Sequence, residues 1–112
     1  MSTTTQTTAA PVAIPEIFDE DGFLVDTSIW SADLATQVAR YDGLPPLTDR
    51  HWKVIGHIRE RFFRVGGVPA MRLVCRQTGI SRQEVKHLFG GCRTIWRVAG
   101  LPNPGEEAKA HF

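Results

Sequence analysis

The run LTDRHWKVIGHIRERFFRV, from Leu47 to Val65, limits the fold more than any other part of the chain. Trp52, Ile55, Ile58, Phe62 and Val65 recur at helical spacing, while Arg50, Lys53, His57, Arg61 and Arg64 cover the opposite side. That pattern predicts a core helix from Asp49 to about Arg64, with Thr48 as its cap. Gly66-Gly67 stops it, and Pro69, suited to a first helical turn, is expected to open a second helix running through Arg76.

A chain of 112 residues with 42% apolar content supplies one hydrophobic core. No apolar run approaches the roughly 20 residues that span a bilayer. The start MSTTTQTTAA lacks the basic and apolar regions of a signal peptide. The expectation is a cytoplasmic protein with no membrane association. Net charge is +1 but unevenly spread: residues 1–49 hold eight acids and one base, and residues 50–97 hold eleven bases and two acids. Such segregation steers an anionic partner toward the basic middle, or lets the acidic front fold over it.

Residues 1–13 are mostly Thr and Ala with little to bury, and are expected to be a disordered tail. Asp21-Gly22 is a hairpin signal between two short apolar segments, so Glu16 to Phe18 and Phe23 to Val25 are expected to pair as a small antiparallel ribbon. Ser31 caps a helix from Ala32 to Arg40, with Trp30 before it as a hydrophobic staple against Leu34 or Ala35. Asp42-Gly43 and Pro45-Pro46 connect that helix to the central one.

Farther on, Ser81 and Glu84 form a capping box that starts a helix at Arg82, and Gly90-Gly91 stops it near Phe89. With the preceding helix and Gly79 in the turn, the pair has the form of a helix-turn-helix, Val74, Ile80, Val85 and Leu88 meeting between its members. Arg82, Gln83, Lys86 and His87 then point outward and suit contact with duplex DNA. CRTIWRV, from Cys92 to Val98, reads as a last short helix, and the glycines and prolines from Gly100 to Gly105 break it. The polar stretch beyond them forms an arm or stays loose.

No nucleotide-binding glycine pattern and no HExxH are present, and the histidines are scattered, which points away from an enzyme and away from any cofactor or metal. Cys75 and Cys92 are not in a CxxC pair. Cys75 reads as a small core residue; Cys92, after two glycines, is the more exposed thiol. His51, beside Trp52, reads as a structural hydrogen-bonding histidine.

DEDGFL at Asp19 to Leu24, Trp30, GLPPLTDRHWKVI at Gly43 to Ile55, Arg59, Pro69, Arg72, Leu88-Phe89 and AGLPNP at Ala99 to Pro104 together resemble the DsrC/TusE family of small sulfur-relay proteins over roughly residues 16–107. The resemblance implies a mainly α fold: a small orthogonal helical bundle with an N-terminal β-hairpin and a helix-turn-helix-like pair over 14–98, and a C-terminal arm over 99–112. It also implies a sulfur-carrying cysteine near the end of the arm, where this chain has Glu107. In sulfite-reductase-associated members it implies a second one, where this chain has Trp96, four residues after Cys92. Neither a carboxylate nor an indole can carry a persulfide.

The first expectation is therefore a non-catalytic member that binds a protein partner, such as a sulfurtransferase or another sulfur-metabolism enzyme, in a regulatory or assembly role without persulfide carriage. Arg50, Arg61, Arg64, Arg72, Arg76, Leu101, Pro102 and Glu107 are its expected contact residues. The alternatives are a DNA-binding regulator using Arg82, Gln83, Lys86 and His87, and a sulfur-relay protein using Cys92.

Overall fold

A computed structural model describes residues 14–110, so the tail expected at 1–13 lies outside the described residues. The chain is a small, mainly α bundle of α1 (Ile14–Ile17), α2 (Ala32–Tyr41), α3 (Asp49–Val65), α4 (Met71–Thr78), α5 (Arg82–Phe89), α6 (Cys92–Val98) and α7 (Glu106–Lys109), with a 3-10 turn at Thr27–Ile29. The central helix α3 packs on α4 and α5, α5 packs on α6, and α6 closes the bundle against α2.

Local chemistry sets most boundaries. Ser31 Oγ accepts from the Leu34 N–H at 3.1 Å, and Ser81 Oγ from the Glu84 N–H at 3.1 Å, each satisfying a free amide of a first turn. The Glu84 carboxylate does not complete the capping box; it turns away to form a two-pronged pair with Arg50 of α3. At the start of α3 the cap works through a ring: the Thr48 N–H donates to His51 Nδ1 at 2.9 Å. Nδ1 is thus an acceptor, so the proton sits on Nε2 and is donated to the Leu88 carbonyl at 3.0 Å, tying α3 to α5.

The core joins Ile55 and Ile58 of α3 to Leu34 and Val38 of α2, Val74 and Ile80 around the α4–α5 turn, Phe89 of α5, and Ile95, Trp96 and Val98 of α6. Three further expectations change. Val65, placed on the apolar stripe, is 54% exposed because the chain departs from the bundle at Gly66; Val54 and His51 are buried instead. Pro69 stands before α4, since Ala70 is extended (φ −64°, ψ 138°) and Met71 is the first helical residue.

The third change concerns the ribbon. Ile17 lies in α1, and pairing is reduced to one antiparallel bridge between Phe18 and Leu24. The Asp19 carboxylate accepts from the Asp21 and Phe23 N–H groups at 2.9 and 3.0 Å, so a side-chain-stabilised turn does what a ladder would have done. Among the described residues no helix is long and apolar enough to cross a membrane.

Candidate functional site

The segment after α6 is anchored at several points. The Trp96 indole N–H donates to the Pro102 carbonyl at 2.7 Å, Trp30 Nε1 to the Val98 carbonyl at 2.9 Å, and Arg59 to the Ala99 carbonyl at 2.7 Å. The Arg59 guanidinium also lies 3.7 Å from the centre of the Trp30 ring. Trp30, expected as a staple on its own helix, therefore holds the far end of the chain. Gly100 (φ +69°) passes so close beneath it that an added Cβ would lie 2.0 Å from Trp30 Cδ1.

Beyond this anchor the chain returns to the acidic turn. Asn103 donates to Asp19 and Asp21 at 3.2 and 2.9 Å, and Lys109 reaches Asp21 at 2.6 Å and Glu106 at 2.7 Å. Hydrogen bonds from Lys109 and Asn103 hold the Asp21 carboxyl below the usual carboxylate range. Arg97 strengthens the same corner: it forms a bidentate pair with Asp42 at 2.9 and 2.9 Å, donates to the Gly22 carbonyl and covers the Phe18 ring. The acidic front thus folds against part of the basic middle.

This return path forms a cavity of about 450 Å³ between α3, α4, α6 and α7, lined by Val68, Met71, Cys92, Trp96, Glu107 and Ala108 among others. Cys92 and Trp96 are four residues apart on α6, so both project from one face, one turn apart. The position where the resemblance leads one to expect a thiol is filled by the buried Trp96 ring, packed edge-on against Phe62 at 5.6 Å. A real thiol stands one turn earlier on that face, sharing the cavity with Glu107, which occupies the expected arm-cysteine position.

A second cavity, about 280 Å³, is lined by Met71, Arg82, Val85, Lys86, Cys92 and Ile95 together with Gly90 and Gly91. Cys92 lines both, as do Met71 and Ile95. It is half-buried; burial pushes its pKa up, and the Arg82 charge offsets part of that rise. Cys75, also half-buried, lines neither cavity.

The expected contact residues are dispersed. Arg50 is paired with Glu84, Arg64 with Glu60 on its own helix, Arg72 and Arg76 are exposed on α4, and Arg61 is half-buried. Leu101, expected to meet a partner, has 0% exposure and is a core residue, because the Trp96, Trp30 and Arg59 anchors draw its segment inward. Pro102 is half-buried and Glu107 exposed. Of the four residues expected to read DNA, all are exposed, but Arg82 and Lys86 border the Cys92 cavity. The i, i+4 relation of Cys92 to Trp96 was a signal in the sequence that could have brought the thiol forward.

The family model for DsrC like protein matches residues 15–106. A dissimilatory-type sulfite reductase subunit gamma from Nitratidesulfovibrio vulgaris is 31% identical over 88 residues, covering 77% of this chain and 84% of the relative. A sulfurtransferase TusE homolog from Haemophilus influenzae is 32% identical over 98 residues, covering 79% and 88%. The crystal structure of the oxidized gamma-subunit of the dissimilatory sulfite reductase (DsrC) from Archaeoglobus fulgidus is similar with a TM-score of 0.68 and 32% identity, over 80% of this chain and 89% of that one.

These relatives overturn the first functional expectation. A partner-binding protein without sulfur carriage does not fit beside proteins named for sulfur transfer and sulfite reduction, and the alternative, sulfur relay through Cys92, agrees with them better. Their names give no support to a helix-turn-helix DNA reader either. With the family model covering most of its length and relatives above 30% identity on both sides of the family, the chain belongs to the DsrC family.

Proposed function

We propose that this protein is a sulfur-relay carrier that holds sulfane sulfur as a persulfide on Cys92 and passes it to a protein partner of sulfur metabolism. The observation that carries the reading is the place of the thiol. Cys92 lines two cavities, one turn from Trp96 on the same face of α6, with the returning segment at Glu107 and Ala108 lining the larger cavity. A carrier needs a thiolate that can attack a donor's sulfur and then present it, and a half-buried thiol in a cleft protects the loaded persulfide between the two events. In this role the protein is a reactant that is loaded and unloaded, rather than a catalyst.

The test is loading with inorganic polysulfide followed by intact mass measurement under non-reducing conditions. Wild type and Cys75→Ser are expected to gain the mass of one sulfur atom, reversed by a reducing thiol, while Cys92→Ser gains none. Equal loading of Cys92→Ser and wild type would sink the reading.

A further inference from the structure

The smaller cavity beside Cys92 has an unbalanced charge. Its lining includes two cations, Arg82 and Lys86, and no carboxylate; Met71, Val85, Ile95, Cys92 and glycines supply the rest. The neighbouring acid on α5, Glu84, is turned onto Arg50 of α3 and neutralised there. Arg93 on α6 is directed elsewhere, donating to the Asp21 carbonyl at 2.8 Å and lying over the Phe23 ring. Among the described residues neither Arg82 nor Lys86 takes part in an ion pair. The lining of this cavity thus combines two exposed cationic residues with Cys92 and includes no carboxylate, and the Arg82 charge acts on the thiol.

We propose that this cavity is an anion subsite through which Cys92 is loaded from a small thiosulfate-class donor, the sulfonate held by Arg82 and Lys86 and the sulfane sulfur directed at Cys92 Sγ. The inference rests on the relay reading and names its donor chemistry. In the step, the Cys92 thiol gives its proton to solvent and the thiolate attacks the sulfane sulfur. The new Cys92 S–S bond forms as the S–S bond of thiosulfate breaks, and sulfite leaves with the bonding electron pair. One sulfane sulfur changes hands with no external oxidant or reductant. The two cations act twice, drawing the dianion in and favouring the leaving sulfite.

The experiment compares wild type, Arg82→Ala/Lys86→Ala and the charge-conserving Arg82→Lys/Lys86→Arg with two reagents: thiosulfate and the uncharged methyl methanethiosulfonate. Rates are read by intact mass, and with thiosulfate by sulfite release. Both reagents require the same thiolate, so the ratio of their rates cancels any change in thiol ionisation caused by removing Arg82. The ratio is expected to fall at least about tenfold in the double alanine variant, to hold in the charge-conserving one, and to fall in wild type as salt rises.

An unchanged ratio, or no loading by thiosulfate, overturns the subsite. Inorganic polysulfide separates the two proposals. If it loads Cys92 while the thiosulfate ratio ignores the cations, the relay reading stands and only the subsite falls. If it fails to load Cys92, both fall.

Discussion

Two glycines of this chain share a backbone conformation and differ in what surrounds them, which makes Gly100→Ala a controlled measurement. Gly100 has φ +69° and Gly79 has φ +73°. An alanine at either position bears the left-handed cost of about 1 kcal/mol. At Gly79 nothing lies within 4 Å of the added Cβ, whereas at Gly100 it meets Trp30 Cδ1 at 2.0 Å and Cγ at 2.6 Å. The indole must move, giving up its hydrogen bond to the Val98 carbonyl, about 1 kcal/mol, and its stacking with Arg59, about another 1 kcal/mol. Gly100→Ala should therefore cost about 3 kcal/mol and Gly79→Ala about 1 kcal/mol. At about 4–6 °C per kcal/mol for a domain of this size, the melting temperatures fall by about 12–18 °C and about 4–6 °C. Urea unfolding followed by far-UV circular dichroism measures both. Equal losses in the two variants would refute the claim that Trp30 is wedged over the segment following α6.

The Asp42–Arg97 pair is only 14% and 13% exposed, so Asp42→Ala leaves a largely desolvated guanidinium and should cost about 3 kcal/mol in urea unfolding; adding Arg97→Met should recover part of the loss. Because burial raises the Cys92 thiol, its thiolate fraction at neutral pH is below that of an ordinary cysteine. Single-turnover loading by polysulfide should accelerate about tenfold per pH unit through neutral pH and level off only above the usual thiol value of about 8.5. A rate flat from about pH 6 to about pH 8 would contradict it.

The sequence was most legible where the physics is local. Ser31 and Ser81 cap helices because a hydroxyl placed just before an apolar repeat meets an amide three residues on. Gly79 and Gly90 end helices with positive φ for an equally local reason. What the pattern could not disclose is where distant partners meet. The Glu16 to Val25 segment reads as a ribbon because its neighbours in sequence allow one, but Arg93, Arg97, Asn103 and Lys109 from later in the chain hold its turn as a clamped one. Leu101 sits among residues typical of loops, and only the anchors around it explain its burial. Cys92 ranks only as an alternative carrier in the sequence because family resemblance aligns positions one by one, whereas on a helix a four-residue displacement preserves the face.

The clasp between the Asp19–Gly22 turn and the later segment also sets an order of events while the chain is being made. Asp21 and Lys109 are 88 residues apart, and at about 5–20 residues per second about 4–18 s separate their synthesis. During that interval Phe23 and Leu24, fully covered in the finished protein, lack the closing side chains of Arg93 and Arg97, while α3, α4 and α5 can already pack on one another. The Phe23–Leu24 corner therefore stays partly uncovered until Arg93 and Arg97 have been made.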